Sequence, residues 1–533
     1  MQYTFRVLVH AVVYVGSRRY VGPLLLALIA ATSCSPAGAR LDVSVTDPVH
    51  PVLIRNPQNV LLQVTVKAAE ASELASMEFS TDGTTDLGDL ESLELFSTGA
   101  KTDFVAETRF GGAEPPNKSV AFRGKQPLQA GANVFWLSCR LKASADLSHK
   151  VAAKLLSVNG TAASAAAAAA RPKRIGVALR RHMDDNVHTY RIPALATSTQ
   201  GTLLSVYDMR RRKSRDLQED IDIGLSRSTD GGKTWKPVKV IMDMGAHNGK
   251  PQEENGVSDP GIVIDPQTGE IFVFAVWMWG KPGKHQWDKD GTEPGFEIGK
   301  TAQMMLVRSR DDGLTWSKPE NMTRKLKKEK WWLLAPAPQQ GFHLADGAMV
   351  MPIQGRDEKG ETFATIMTSR DHGATWIVGT PAFSGGNECQ AAPLSDGSIM
   401  LNIRNDHERF RAVYVTADLG KTWKPHATNR NTLIEPNCNA SLRRVNFKKG
   451  ADSRQALLFA NPHSQKARTH HTIQVSFDDG MTWPESHRLL LDEGRGRGYP
   501  SLTQIDDGHV GIVYEGSRAD VVFERLALTD LIR

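Results

Sequence analysis

The chain has 533 residues, more than one hydrophobic core usually supports, so we expect at least two domains. Its formal net charge of +6 is modest and its Lys and Arg residues are scattered. This is weak evidence for nucleic-acid binding and suits an anionic substrate equally well, so we predict no nucleic-acid partner. Four cysteines do not make a disulfide framework, so stability must come from buried apolar surface.

The first 39 residues have the pattern of an export signal. Arg18 and Arg19 precede the apolar run 21–31, and a small-residue stretch then ends in Ala37-Gly-Ala39, a cleavage signal. We predict a signal peptide over 1–39 and a secreted or periplasmic protein; the alternative is a lipoprotein anchored through Cys34. The apolar run is too short for a stop-transfer helix, and no other long apolar segment follows. The mature chain should therefore carry no integral membrane segment.

Strand-like runs come next along the chain, at 52–54, 60–66 and 132–137, and polar turns separate them. They predict a small β-sandwich over 40–158. Residues 159–172, which include the alanine run 165–170, predict a linker because they offer no apolar face for packing. We expect few contacts to cross this linker, so that the sandwich is an accessory module to a domain over 173–533.

One motif recurs five times in the C-terminal domain. The pattern Ser/Thr-x-Asp-x-Gly-x-Thr-Trp, which we call the Asp box, ends at Trp235, Trp316, Trp376, Trp423 and Trp483. Successive tryptophans are 47 to 81 residues apart, and repeats at such intervals indicate one supersecondary unit copied around an array. Because β-rich runs precede the boxes, the sequence predicts an all-β protein with a six-bladed β-propeller. One blade should lack a box, and the chain ends should close the ring.

The Asp box has a mechanical explanation. Its Asp can fold back onto backbone N–H groups of the turn, its Gly supplies a positive φ, and its Trp buries apolar surface. The box therefore specifies fold rather than chemistry. A calcium loop is the alternative, but the Trp and the missing later Glu argue against it.

A second set of motifs carries the chemistry. The propeller region opens with Tyr-Arg-Ile-Pro at 190–193, which, together with the boxes, resembles the signature of exo-α-sialidases. These are propeller glycosidases that remove terminal sialic acid, and a sandwich domain accompanies some of them. Over 180–533 the chain has the family's other motifs in the family's order: Asp208-Met-Arg210 with Asp216, Glu388-Cys-Gln390, Leu401-Asn-Ile-Arg404, Asn461-Pro462 with Arg468, and Gly498-Tyr499.

By this resemblance Arg191, Arg404 and Arg468 bind the carboxylate of sialic acid. Arginine suits that task because its planar fork pairs with a carboxylate through two hydrogen bonds. Three clustered cations repel one another, so a carboxylate should orient at least one. Glu515 resembles the family's glutamate that braces the first arginine.

The nucleophile is expected to be Tyr499, with Glu388 as its base. A carboxylate nucleophile would repel the substrate carboxylate by about 4 kcal/mol at 4 Å, which a neutral tyrosine avoids. Its hydroxyl ordinarily titrates near pH 10, so a base must remove its proton. Sialidases are the tyrosine exception among glycosidases, which otherwise use carboxylates.

Asp216 is the expected general acid and base, on a polar loop whose arginines should depress its pKa. Arg210 and Asp259 resemble residues that contact the sugar hydroxyl near C4, although each could instead be structural. The apolar wall for the N-acyl group has several candidates: Trp277, Met278, Trp279 and Trp287.

The predicted partners are sialylated glycans, namely glycoproteins, glycolipids and oligosaccharides. We predict no cofactor and no metal, because the histidines lack ligand spacing with a carboxylate. Three alternatives stay open: a trans-sialidase, an enzyme for a related nonulosonic acid, and a propeller that binds sialoglycans without catalysis.

Overall fold

The structure is a computed structural model that describes residues 41–164, 171–278, 284–285, 287–288, 291–449 and 452–532. The predicted signal peptide, Cys34 and the alanine run lie outside these residues. Strands dominate the described chain, and its two α-helices are the single turns Thr323–Leu326 and Leu528–Leu531. Short 3₁₀ turns lie at Leu87–Asp89, Asp184–Asn186, Gln252–Glu254 and Glu485–His487. No described helix has the length and apolar character needed to cross a membrane.

Two antiparallel sheets form the predicted sandwich, and their apolar faces share one core. The first sheet has the strand order Leu41–Thr46, Asn59–Ala68, Gly131–Leu141, Leu90–Gly99 and Thr108–Arg109. The second has the order Thr161–Ala162, Lys154–Val158, Ser72–Ser80 and Ser119–Leu128.

Six further sheets in the described residues are the blades of the predicted propeller. Blade 1 contains Thr189–Thr197, Leu203–Arg210, Ile221–Ser228 and Lys239–Met242. Blade 2 contains Val257–Ile264, Ile271–Trp277, Gln303–Ser309, Glu320–Asn321 and the added Gln339–Gln340. Blade 3 contains Leu333–Pro336, Phe342–His343, Met349–Arg356, Thr362–Ser369, Ile377–Val378 and Phe383–Ser384.

The remaining blades complete the ring. Blade 4 contains Gly386–Pro393, Ile399–Asn405, Ala412–Thr416 and Lys424–Pro425. Blade 5 contains Ser441–Lys449, Asp452–Pro462, His471–Ser476 and Arg488–Asp492. Blade 6 contains Gly498–Asp506, His509–Glu515, Val521–Ala527 and Lys173–Arg180.

Blade 6 closes the ring, as the sequence predicted. Its outermost strand, Lys173–Arg180, comes from the start of the propeller region and pairs antiparallel with Val521–Ala527 from the C-terminus. The innermost strands of neighbouring blades contact each other around the circle, and blade 6 meets blade 1. The five Asp boxes follow the third strands of blades 1 to 5, so the chain closure takes the place of the sixth box.

The Asp boxes have the predicted hydrogen bonds. In the first, Asp230 Oδ1 accepts from Ser228 Oγ at 2.8 Å and from the Thr234 amide at 2.9 Å. The Gly232 amide donates to Ser228 Oγ at 2.9 Å, with φ at +91°. The Trp235 ring packs edge-on against Phe523, at a centroid distance of 5.0 Å. Since Phe523 belongs to blade 6, this box joins neighbouring blades.

The contacts between sandwich and propeller correct one expectation. Strand Val52–Ile54 lies before most of the sandwich in the sequence, yet it pairs in parallel with Lys173–Arg180 at the outer edge of blade 6. Lys150–Val151 also pairs with the start of that strand. One apolar cluster contains residues of both regions. The expectation that few contacts cross the linker is therefore wrong.

The predicted linker also differs from the structure at its start. Lys154–Val158 and Thr161–Ala162 form a hairpin of the sandwich. The turn residues Asn159 and Gly160 have φ of 48° and 76°, the left-handed conformation that Asn-Gly turns favour. The Asn159 side chain accepts from the Ala75 amide at 2.8 Å. Residues up to 162 thus belong to the sandwich.

Removing the sandwich should destabilise the propeller. A chain that begins at Arg171 loses Val52, Leu53 and Ile54, which are at most 6% exposed, and burial of each is worth about 1.5–3 kcal/mol. We expect a Tm well below that of a chain beginning at Leu41, with loss of soluble protein and of turnover. Leu53→Ala in the full chain is the matched variant and should cost about 2–5 kcal/mol. Unchanged Tm in both variants would show that the shared core is dispensable.

Candidate active site

A polar cavity of about 290 Å³ lies at the end of the propeller where the innermost strands begin. Its wall consists of Arg191, Ile192, Asp216, Asp259, His285, Trp287, Gln354, Asn387, Glu388, Arg404, Arg468 and Tyr499. Seven of the nine site residues predicted from the sequence are in this wall. The other two, Arg210 and Glu515, lie directly behind it and contact wall residues.

Breaks in strand pairing place the key side chains. The innermost strands of blades 1, 2, 4 and 6 each show a register shift near their start, close to Arg191, Asp259, Glu388 and Tyr499. Extra unpaired residues of this kind re-aim side chains next to functional sites. In three of the blades the residue in the left-handed region precedes a proline, which cannot donate to a ladder: Ile192, Asp259 and Tyr499, with φ of 55°, 59° and 45°.

Tyr499 and Glu388 are joined by a direct hydrogen bond in the cavity. The Tyr499 hydroxyl donates to Glu388 Oε1 at 2.5 Å, and both residues are only 5–6% exposed. Arg404 Nη1 donates to Glu388 Oε2 at 2.6 Å and to the Tyr499 hydroxyl at 3.1 Å. Burial and the Glu388 charge raise the pKa of Tyr499 well above its usual range, although Arg404 and Arg468 oppose this. The tyrosine is thus neutral at rest and already bonded to a base.

The three predicted arginines surround the Tyr499 ring. The guanidinium carbons of Arg191 and Arg468 lie 5.4 and 5.5 Å from the ring centroid. Arg191 Nε donates to Glu515 Oε1 at 2.6 Å, so Glu515 braces this arginine as predicted. Among the described residues Arg468 donates only to backbone carbonyls, those of residues 497 and 437. Its charge is therefore available to an anionic ligand.

Asp216 lies in the cavity wall within a cluster of cations. Its carboxylate contacts Arg210, is 3.9 Å from Arg191 and is 3.5 Å from His285 Nε2. Burial alone would raise the pKa of Asp216, but the His285 hydrogen bond and the two arginine charges outweigh it and lower that pKa below the usual range. The pKa of Asp216 is therefore low, as expected from the sequence, and His285, Arg210 and Arg191 cause this.

Arg210 and Asp259 meet through a third residue, Asp208. Asp208 Oδ2 accepts from Arg210 Nη2 at 2.9 Å, and Asp208 Oδ1 accepts from the Asp259 amide at 3.0 Å. Burial, together with the charges of Asp208, Glu388 and Asp216, raises the pKa of Asp259 well above its usual range. A protonated Asp259 can donate a hydrogen bond to a ligand hydroxyl.

The candidates for an apolar wall divide into three groups. Trp287 lines the cavity. Trp277 and Met278 are buried in apolar clusters and do not. Trp279 lies outside the described residues.

Sequence reasoning missed several wall residues. Asn387 fixes the chain at Glu388, because its Oδ1 accepts from the Glu388 amide at 2.6 Å. Gln354 and His285 enter from elements without a motif, so no local signal marked them. Asp208 was visible in the Asp-x-Arg motif, but its role as a bridge depends on a contact across 51 residues.

Comparisons with known proteins agree with this geometry. The family description "BNR repeat-like domain" matches residues 201–512, and "N-terminal domain of BNR-repeat neuraminidase" matches residues 40–162. A sialidase of Bacteroides fragilis is 36% identical over 513 residues, which cover 91% of this chain and 94% of that protein. A sialidase of Micromonospora viridifaciens is 34% identical over 340 residues, which cover 61% of this chain and 50% of that protein.

Solved structures of sialidases are also similar to this chain. The Hadza microbial sialidase Hz136 has a TM-score of 0.85 and 37% identity, covering 91% of this chain and 99% of its own. Trypanosoma rangeli sialidase in complex with 2,3-difluorosialic acid, a covalent intermediate, has a TM-score of 0.53 and 18% identity, covering 65% and 57%. At that identity the second likeness concerns the fold alone.

Proposed function

The chain belongs to the family of BNR-repeat neuraminidases, the sialidases, and from this premise we propose that it is a retaining exo-α-sialidase with a sialyl-tyrosine intermediate. Its substrates are the terminal α-linked sialic acids of glycoproteins, glycolipids and oligosaccharides. The observation that carries this proposal is the 2.5 Å hydrogen bond from the Tyr499 hydroxyl to Glu388. Three arginines contact the same tyrosine.

The arginines orient the substrate. The sugar carboxylate binds to Arg191, Arg404 and Arg468, and its position next to the anomeric carbon sets that carbon close to Tyr499. Glu515 keeps the Arg191 fork in place, since it also accepts from the Ile192 amide at 2.7 Å. Arg468 contributes the charge that no described carboxylate neutralises.

Tyr499 attacks the anomeric carbon while Glu388 removes its proton. Arg404 contacts both groups, so its positive charge stabilises the phenolate character that develops on the oxygen. The bond from the anomeric carbon to the leaving oxygen breaks, and Asp216 donates a proton to that oxygen. In the second step Asp216 takes a proton from water, the water oxygen bonds to the anomeric carbon, and Tyr499 leaves with the proton from Glu388.

Substrate binding raises the pKa of the general acid, Asp216. In the structure the His285 hydrogen bond and the charges of Arg210 and Arg191 lower the pKa of Asp216 below its usual range. A bound carboxylate offsets part of the Arg191 charge, and the sugar removes water, so both changes raise the pKa of Asp216 toward the range an acid needs. Asp259 lines the cavity and contacts the hydroxyl near C4, while Arg210, behind the wall, pairs with Asp208 beside it.

The stereochemistry of the product tests this function. Two displacements at one carbon restore its configuration, so fresh product from an α-sialoside should be the α-anomer. Proton NMR during the first minutes of turnover, before the anomers equilibrate, measures this. Initial β-anomer would mean a single displacement and would rule out the intermediate.

The same assay with lactose added separates hydrolysis from transfer. We expect free sialic acid as the main product at all lactose concentrations. Sialyllactose as the main product would identify a trans-sialidase, and no release from any sialoside would favour a binding-only propeller.

A further inference from the structure

A second cavity, of about 220 Å³, lies at the far end of the innermost strands, and we call it the lower cavity. Its wall includes Phe342, His343, Pro393, Arg443, Arg444 and Gln504. The wall comes from blades 3, 4, 5 and 6. The lower cavity is thus located near the propeller axis, like the active site.

The lower cavity is separate from the active site. Glu388 and Tyr499 lie near the starts of their strands, whereas Pro393 and Gln504 lie five residues further along the same two strands. At a strand rise of about 3.3 Å per residue, these five residues span about 17 Å. A ligand in one cavity does not contact the catalytic groups in the other.

Arg443 is the distinctive residue of the lower cavity. Its Nη1 donates to the Gly341 carbonyl at 3.1 Å, and within the described part of the chain it has no other acceptor and no carboxylate partner. Burial lowers the pKa of Arg443 to about 10, and no acidic neighbour opposes this. The guanidinium still carries its charge at neutral pH, with most of its N–H groups unused.

The adjacent arginine shows the contrast. Arg444 Nη1 donates to Asp479 Oδ1 at 2.6 Å, and its Nε donates to Gln455 Oε1 at 2.8 Å. Its charge is therefore neutralised within the protein. Arg443 on the same strand is partly buried without such a partner, which is costly unless an anion completes the site.

The rest of the wall favours an anion as well. The residues that line the lower cavity include two arginines and His343, and no Asp or Glu is among them. The Gln455 amide is taken by Asn446 Oδ1, and the Gln504 amide is taken by the Asn446 carbonyl. These bonds hold the two glutamines in the wall, so Arg443 and His343 remain as groups able to bind a ligand.

We propose that the lower cavity binds a small oxyanion, a phosphate or a carboxylate, on the guanidinium fork of Arg443. The fork matches two oxygens of such an anion. The cavity volume of about 220 Å³ admits an inorganic ion or a small organic acid. The site is independent of the proposed sialidase activity, since no residue lines both cavities.

Isothermal titration calorimetry on the full chain tests this site. The active site is first filled with a tight sialic-acid analogue, because its arginines also attract anions. Inorganic phosphate and acetate are then titrated separately at fixed ionic strength, and the tighter of the two identifies the anion class. We expect one binding event per chain in the unaltered protein and binding at least about tenfold weaker in Arg443→Gln.

Arg310→Gln is the matched control. It removes the same charge from a side chain that is 80% exposed, so it should bind phosphate and acetate like the unaltered protein. Arg443→Gln should keep kcat/KM for a small aryl sialoside within about twofold, since Arg443 does not line the active-site cavity. Equal binding by Arg443→Gln and the unaltered protein, or no binding by the latter, would overturn the proposal.

Should Arg443→Gln fail to fold, the variant Arg443→Lys tests the proposal in its place. Lysine keeps the charge but loses the planar fork, so we expect binding about three- to tenfold weaker than with arginine. Unchanged affinity in Arg443→Lys would overturn the proposed recognition by the fork.

Discussion

Tyr499→Phe is expected to lower kcat by several orders of magnitude while the substrate still binds. The change removes one hydroxyl and leaves the three arginines in place, so the loss falls on the attacking oxygen. Each factor of ten corresponds to about 1.4 kcal/mol of barrier. Steady-state kinetics with an activated aryl sialoside gives kcat, and equilibrium titration with a competitive inhibitor gives the affinity.

Tyr514→Phe is the matched control for this variant. Tyr514 is also buried, and its hydroxyl donates to a glutamate, Glu524, at 2.9 Å, but it does not line the active-site cavity. It should lose stability and keep kcat. Near-normal rates in Tyr499→Phe, or an equal loss in Tyr514→Phe, would mean that Tyr499 is structural and that the nucleophile lies elsewhere.

Asp216→Asn should affect substrates according to their leaving groups. The amide cannot donate the proton that a sugar alkoxide needs, so kcat/KM for sialyllactose should fall about 10²–10⁴-fold. An aryl group with an acidic phenol leaves without protonation, so its kcat/KM should fall far less. The ratio kcat/KM is the right measure because it reports the first step only, before Asp216 acts as a base on water.

Asp220→Asn serves as the control on the same loop. Asp220 accepts from Gln252 at 3.3 Å and is absent from the active-site wall. It should leave kcat/KM for both substrates within about twofold, since Asp220 does not line the active-site cavity. An equal loss of both substrates in Asp216→Asn would show that Asp216 is not the acid.

The sequence predicted the propeller well because its repeat has a local cause. Each Asp box closes through hydrogen bonds among residues two to four positions apart, such as those of Asp230 to Ser228 and Thr234. Because the residues in contact are close in the chain, they leave a pattern that is visible in the sequence. The six blades and their closure by the chain ends followed from counting the boxes.

The joint between the domains could not be predicted in the same way. Strand Val52–Ile54 pairs with residues more than 120 positions later, and its apolar side chains fit a sandwich equally well. No local feature distinguishes the two partners. The hairpin at 154–162 carried a usable signal, the Asn159-Gly160 turn, but the alanines that follow it suggested a linker.

The common location of the predicted site residues could be expected, because the family resemblance connects motifs from different blades. Spacing alone would not have joined Arg191 to Glu515, which are 324 residues apart. Residues without a motif, such as Gln354 and His285, became visible only when the structure placed them in the wall. The prolines after Ile192, Asp259 and Tyr499 were a further signal, since each marks a break in strand pairing.

Mapping of a trapped covalent intermediate tests the central claim most directly. In 2,3-difluorosialic acid the C2 fluoride can leave, while the fluorine at C3 slows the second step, so the intermediate should accumulate. The protein is quenched and digested, and tandem mass spectrometry locates the added sugar. We predict the adduct on the Tyr499 oxygen, and none in Tyr499→Phe. An adduct on Glu388 in the unaltered enzyme, or none despite active turnover, would contradict the tyrosine mechanism.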